Sequence, residues 1–390
     1  MKLKHFYYKE FMDCPNTWAL SAFSLNERVN LLVGKNATGK TRTIERISAL
    51  AGLLTGKPHL SLEIIDSAEF AAAFSDDIHT YSYSLETKNR NVVFEKFTID
   101  DVIKLKRSSD GKGSMYYEGE GKDILFQTSE NIPIITFRRD NIQHSYLENL
   151  FKWADGLRCY YFGSSRDMGQ RNMLATVNFE KFLNGEFNLN ETFRINELYL
   201  RAKKEFGDNF NNEIIKYMQE IGYDIFNLAV EKNPYTAVIE EDKSPLYMLC
   251  VKERDRNASL YQTGMSQGMF RALSLLIQIS YNVIKNIAST ILIDDIGEGL
   301  DFDRSTKLIK LLIELAEKND NIQLIMSTND RYVMNNVPLK YWQIIQRSGG
   351  ECQVYNYQNC KEKFDEFKYM GLNNFDFLAT DYINSEWKKT

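Results

Sequence analysis

The segment Gly34-Lys35-Asn36-Ala37-Thr38-Gly39-Lys40-Thr41 constrains this chain more than any other. It satisfies G-x-x-x-x-G-K-[ST] at every fixed position, a phosphate-loop pattern that belongs between a strand and the first turn of a helix. The flanks supply both. Val29–Val33 (VNLLV) is a short apolar run that reads as a buried strand. Over Thr41–Leu54, Ile44, Ile47, Leu50, Ala51 and Leu54 recur at helical spacing. In that setting the loop amides from Gly34 to Thr41 can cradle nucleoside phosphates. Lys40 can reach the β- and γ-phosphates, and the Thr41 hydroxyl can ligate Mg2+. The expected ligands are ATP and Mg2+.

A second element lies 250 residues on, where the apolar run Ile291–Ile293 ends in Asp294 and Asp295. A carboxylate at a strand end facing the phosphate loop is what holds Mg2+ through its water shell, which suits Asp294. Asp295 then stands where a base or positioner of the attacking water is needed. Alone, such a pair reads equally well as a solvated turn or a helix cap. Beside a phosphate loop the catalytic reading prevails. Between the two elements, Met265-Ser266-Gln267-Gly268-Met269 precedes Phe270–Ile287, a long and almost entirely apolar helical stretch. A small hydroxyl residue and a glycine at a helix start leave free N–H groups and a helix dipole pointing outward, an anion site.

This order of motifs resembles the ATPase heads of the ABC and SMC superfamily. The resemblance implies that Ser266 and Gly268 form the signature that closes over the γ-phosphate held by a second subunit. It gives Asp294 the Mg2+-binding role and Asp295 the catalytic-acid position. Asp301, in Gly299-Leu300-Asp301, matches the loop that crosses between subunits, and Asn36 matches an asparagine common in that superfamily's phosphate loop. Two departures stand out. The catalytic position usually carries Glu and here carries the shorter Asp295. The switch position usually carries His, whereas Ile322–Met326 leads through Ser327 and Thr328 to Asn329. Asn329 can hydrogen-bond a γ-phosphate but cannot carry positive charge. Both changes imply slow hydrolysis. Glu298, four positions after Asp294, could supplement the base but reads first as a helix-start charge. Arg166, in Tyr160–Gln170, resembles a strand-end arginine of relatives that approaches the nucleotide, and it reads equally well as a helix cap or a partner of a carboxylate.

The chain has 390 residues, 26% of them charged and 13% aromatic, enough for a head with a substantial insert. Three stretches are expected. Residues 1–139 form an N-terminal ATPase lobe with the phosphate loop and an antiparallel meander. Residues 140–259 form a mainly helical insert. Residues 260–390 form a C-terminal lobe with signature, acidic strand and an aromatic tail (Phe364–Trp387) that reads chiefly as packing on its own sheet edge. The fold expected is α/β, an ABC-type head with a mostly parallel sheet, the meander and the helical lobe. No apolar run approaches the ~20 residues of a membrane span, and the start of the chain lacks the apolar core of a signal peptide. Five scattered cysteines without a C-x-x-C pair argue for reduced thiols in the cytoplasm and against zinc. A net charge of −5, with local basic clusters such as Lys104/Lys106/Arg107, neither requires nor excludes nucleic acid.

No long heptad array separates the phosphate loop from the signature, and the tail is too short for a Toprim nuclease domain. The chain therefore is similar to the compact AAA15/AAA21 group of SMC-like bacterial ATPases. That resemblance implies a homodimer or higher homo-oligomer closing on ATP, an effector protein as partner, and a role in anti-phage defence or a toxin–antitoxin module. Two other readings stand beside it: a DNA-binding clamp or DNA-processing ATPase, and an ATP-stabilised antitoxin with little turnover.

Overall fold

The computed structural model describes residues 1–56, 67–128, 132–140, 142–162, 195–232, 247–256 and 258–384. Among the described residues seventeen strands build two sheets. In chain order the first nine are β1 (Lys2–Glu10), β2 (Trp18–Ser24), β3 (Val29–Val33), β4 (Ala68–Ser75), β5 (Thr80–Lys88), β6 (Asn91–Ile99), β7 (Val102–Arg107), β8 (Lys112–Tyr117) and β9 (Lys122–Gln127). They continue with β10 (Arg158–Tyr161), β11 (Ile225–Lys232), β12 (Tyr247–Glu253), β13 (Leu260–Tyr261), β14 (Ser289–Asp294), β15 (Ile322–Ser327), β16 (Trp342–Ser348) and β17 (Glu351–Asn356). The large sheet has fourteen strands in the order β10-β14-β15-β3-β16-β17-β2-β1-β4-β5-β6-β7-β8-β9.

The five strands from β10 to β16 run parallel. Every residue of β3, β14 and β15 is buried, as expected for parallel strands covered on both faces. Their alternating side chains feed two cores. Leu31, Ile291, Ile293, Leu324 and Met326 face the signature helix Gln267–Ile284 and the helix Phe302–Lys318. Leu32, Leu292 and Ile325 face the phosphate-loop helix Lys40–Thr55 and the helix Glu148–Gly156. From β2 through β1 to β9 the neighbours pair antiparallel, and β4 alternates buried and half-buried residues, with one side on the core. The meander expected from the sequence thus continues the nucleotide sheet through the β16–β17 hairpin and the parallel contact of β17 with β2.

Residues 140–259, expected to be mainly helical, carry strands as well as helices among the described residues. Helices Glu148–Gly156, Ile195–Phe206 and Asp208–Glu220 are present, while β10 joins the central sheet and β11 and β12 pair with β13, just beyond this stretch, in a separate antiparallel sheet. Arg158–Tyr161 is a four-residue stretch with two tyrosines that completes the sheet edge beside β14, and β11 follows a turn at Gly222 whose φ of 98° ends the helix before it.

In the tail, the helices Lys361–Lys368 and Asn374–Ala379 bury Phe364, Phe367, Phe377 and Tyr382 in the chain's own core, with ring centroids 4.8 to 5.4 Å apart. Trp387 and Arg166 lie outside the described residues. Among the described residues no helix is long and apolar enough to cross a membrane.

Candidate active site

The carboxyl ends of β14, β15 and β3 lie side by side, fixed by the parallel registers Ile293↔Met326 and Met326↔Leu31. Ligand sites in parallel sheets form at such ends. Here β3 runs into Gly34, β14 ends on Asp294 and β15 ends on Ser327.

The phosphate loop turns twice through left-handed backbone, at Ala37 (φ 63°) and Gly39 (φ 105°). A Cβ on Gly39 would meet Trp18 Cζ2 at 2.8 Å, so only glycine lets the loop settle on the buried indole. Behind the loop, fully buried Glu10 pairs with Arg42 (2.6 Å) and Arg46 (3.0 Å) of the helix that follows. Lys35, Asn36 and Ala37 are exposed at the tip, while Thr38 Oγ1 donates back to the Lys35 carbonyl (2.9 Å). Lys40 is buried, and its Nζ donates to the carbonyls of Gly34 (2.9 Å) and Lys35 (3.1 Å). Burial lowers the pKa of that amine, and the nearby charges of Asp295 and Asp294 oppose the shift.

Asp294 is buried and accepts two hydroxyls on one oxygen. Thr41 Oγ1 donates to its Oδ1 at 3.1 Å and Ser327 Oγ at 2.5 Å. Its Oδ2 has no hydrogen-bond partner among the described residues. A threonine hydroxyl beside a carboxylate with one open oxygen is a hard-oxygen donor set, and it fits Mg2+ carried on a nucleotide. Asp295 takes a left-handed backbone (φ 55°), with its N–H donating to Ser327 Oγ (3.0 Å) and its Oδ1 accepting from Asn329 Nδ2 (3.4 Å). Burial raises the pKa of Asp295 first, with the charges of Asp294 and Glu298 adding to it and Lys40 and Arg271 opposing. Asn329 therefore lies next to Asp295. Glu298 is exposed in the turn that follows, ahead of the helix starting at Phe302 rather than at its first residue.

Ser266, Gly268 and Asp301 form a second group. Ser266 caps the signature helix, accepting the Met269 N–H at 3.2 Å, and it is exposed. Gly268 packs so closely on the acid turn that a Cβ would stand 2.4 Å from Gly299 O. Asp301 caps the next helix, accepting from Arg304 N at 3.0 Å, and these bonds hold its carboxyl below the usual range.

Two residues escaped the motif reading. Arg271 is buried, and it donates from Nη1 to Glu298 O (2.7 Å) and from Nη2 to Phe162 O, tying the signature helix to the acid turn and to the end of β10. Its signal was a lone charge near the start of an apolar helix. Ser327 gave a weaker one, a hydroxyl closing an apolar strand.

With this geometry in place, comparison with known proteins is decisive about ancestry. Residues 29–335 match the family AAA21, described as "AAA domain, putative AbiEii toxin, Type IV TA system". This chain belongs to that family. It is a P-loop ATPase of the SMC-like AAA21 type. It is also 23% identical over 354 residues to the DNA replication and repair protein RecF of Streptococcus thermophilus, covering 82% of this chain and 90% of RecF. A solved SMC head bound to the C-winged helix domain of ScpA superposes with a TM-score of 0.55 at 14% identity, over 91% of this chain and 97% of the head. That similarity shows the ABC-type head fold.

Proposed function

We propose that this AAA21 ATPase binds Mg2+–ATP between two copies of itself, hydrolyses it slowly, and presents the closed state to a partner effector protein in bacterial phage defence. The observation that carries the catalytic part is the shared oxygen of Asp294, joined to Thr41 of the phosphate loop and set beside Asp295. In this reading the loop amides and Lys40 hold the phosphates, and Lys40 leaves the Gly34 and Lys35 carbonyls to do so. Thr41 and Asp294 hold the cation, which supplies charge neutralisation on the phosphates. Asp295 accepts the proton of the attacking water, and Asn329 orients the carboxylate by its amide. An Asp shorter than Glu, and a neutral amide in place of His, support slow turnover.

Dimerisation is supported by the exposure of Ser266 and Asp301 on the outer side of the signature helix and the acid turn. The exposed Ser266 hydroxyl at a helix start suits phosphates brought by a second copy, while Asp301, an acceptor, suits donors of that copy. The partner protein is proposed by analogy with the SMC head that carries a domain of ScpA. Effector control and phage defence rest on family membership, as does cytoplasmic location.

The test is light scattering and turnover with and without Mg2+–ATP. Wild type should double in mass with ATP, Lys40→Ala should remain monomeric, and ATP at about 100 times its Kd should stabilise wild type by about 2.7 kcal/mol. A melting temperature indifferent to Mg2+–ATP would refute nucleotide binding, and an ATP-bound monomer with full turnover would refute the shared site. The similarity to RecF favours one second reading, a DNA clamp. Binding of duplex DNA with a steep salt slope, and turnover raised by DNA, would favour it.

A further inference from the structure

The strand β15 ends on a hydroxyl that joins the two acids. Ser327 is fully buried. Its Oγ accepts the Asp295 N–H at 3.0 Å, and an amide can only donate, so the single hydroxyl proton goes the other way, to Asp294 Oδ1 at 2.5 Å. Two consequences follow for the neighbouring carboxylates. With Thr41 and Ser327 both donating to Oδ1, the plane of the Asp294 carboxylate is fixed and Oδ2 is the oxygen left for a cation. Asp295, whose left-handed φ of 55° is uncommon for a residue with a Cβ, is held there by the same Oγ and by the bond from Ile296 N to Ser327 O at 2.9 Å.

We infer that Ser327 is a positioning residue for the ATPase reaction: its buried hydroxyl orients Asp294 toward Mg2+ and, through the same atom, fixes the backbone from which Asp295 reaches the attacking water. The inference rests on the roles proposed above for Asp294 and Asp295. A hydroxyl that merely filled hydrogen bonds would, on removal, lower stability and leave the metal dependence where it was. A positioning hydroxyl moves the metal dependence itself, because supporting bonds to a ligating carboxylate change metal affinity or activity by about 10–100-fold.

The experiment uses the full chain and the variants Ser327→Ala, Ser327→Thr and Asp294→Asn. ATP affinity is measured in EDTA, and the ATP-bound protein is then titrated with Mg2+ while its melting temperature is followed. The kcat and KM for ATP are measured in parallel. Ser327→Ala should bind ATP in EDTA as wild type does and need about 10–100-fold more Mg2+ for half-maximal stabilisation. Its kcat should fall with little change in KM. Ser327→Thr keeps the hydroxyl and should restore the wild-type Mg2+ midpoint. If Ser327→Ala does not fold, Ser327→Cys, of similar volume and a weak donor, should show the same shift in direction. A wild-type Mg2+ midpoint in Ser327→Ala, or in Ser327→Cys where that is the variant measured, overturns the inference. So does a Ser327→Thr protein as impaired as Ser327→Ala. Asp294→Asn separates the two layers. If it too keeps the wild-type midpoint, the metal role of Asp294 falls. If it shifts the midpoint while the Ser327 variants do not, the positioning role alone falls.

Discussion

Replacing Gly268 by Ala places a single methyl group at the tightest contact between the signature helix and the acid turn. The new Cβ would lie 2.4 Å from Gly299 O, 2.7 Å from Leu300 Cδ2 and 3.1 Å from Gly299 C. An ordinary carbon–oxygen approach is about 3.3 Å, so the carbonyl must retreat by about 0.9 Å. The leucine can change rotamer, but the carbonyl cannot move without its backbone. That backbone is tethered one residue earlier, where Arg271 Nη1 binds Glu298 O at 2.7 Å, and two residues later, where Asp301 caps its helix. Overpacking of this kind costs about 1–3 kcal/mol. The functional effect should be larger than the loss of stability, because the displaced segment carries Asp301 and begins at Asp295. A misplacement near 1 Å can lower turnover by about 10²-fold. The matched control is Gly264→Ala, whose Cβ would meet nothing closer than Leu260 Cδ1 at 3.3 Å. Thermal melts, ATP affinity and kcat are measured for both. Gly268→Ala should melt lower than the control, bind ATP normally and lose turnover. Equal melting temperatures together with full turnover would show that the helix and the acid turn are not packed as described.

Two further outcomes follow from the titrating groups. As the proposed base Asp295 works only when ionised, and burial raises its pKa, so kcat should rise with pH along a limb displaced upward from the free aspartate value. Asp295→Asn should lose about 10²-fold in kcat and abolish that limb, and a variant that keeps it would place the base elsewhere. Glu95, fully buried, accepts from Ile134 N (2.7 Å), Ile135 N (3.2 Å) and Tyr83 OH (3.1 Å), and burial raises its pKa from 4.5 to about 7. Because the folded value is the higher one, its contribution is full below pH 4.5 and is lost as pH rises through 7, about 3 kcal/mol in all. Denaturant unfolding at pH 5 and pH 8 should show that loss in wild type and not in Glu95→Gln, and equal slopes in both proteins would refute it.

What could be read from the sequence was whatever is local. The strand Val29–Val33 needed only five consecutive residues to declare itself, and it has those bounds in the structure. The helix after it was expected over Thr41–Leu54 and runs Lys40–Thr55. The meander strands were visible because alternation repeats within a few residues. What could not be read depends on partners far along the chain. Continuity of the fourteen-stranded sheet hangs on Glu351↔Ala19 and Cys352↔Leu20, pairs more than 300 residues apart with no pattern of their own. The strand β10 escaped for the same reason, since it is a strand only because β14 lies beside it.

The acid turn shows how these two kinds of information combine. The sequence names its residues, but the structure shows how they are held. At its start, Asp295 N and Ile296 N bind Ser327, and Thr328 Oγ1 donates to Ile296 O at 2.9 Å. At its end, Glu298 O is bound by Arg271 and Gly299 O abuts Gly268. One end is thus fixed to the end of the strand that leads into Asn329 and the other to the helix that Ser266 caps. A displacement of the signature helix must act on the Asp295 backbone through the few residues between, and the left-handed φ of Gly297 (100°) and Gly299 (78°) bends the chain within that span. Substituting a β-branched residue at Gly297 would both strain that bend and meet Val333 Cγ2 at 2.8 Å. The turn is therefore the short covalent path from Asp301 to the acids at the strand ends, and in the proposed dimer a closure on the outward-facing group would reach those acids through it.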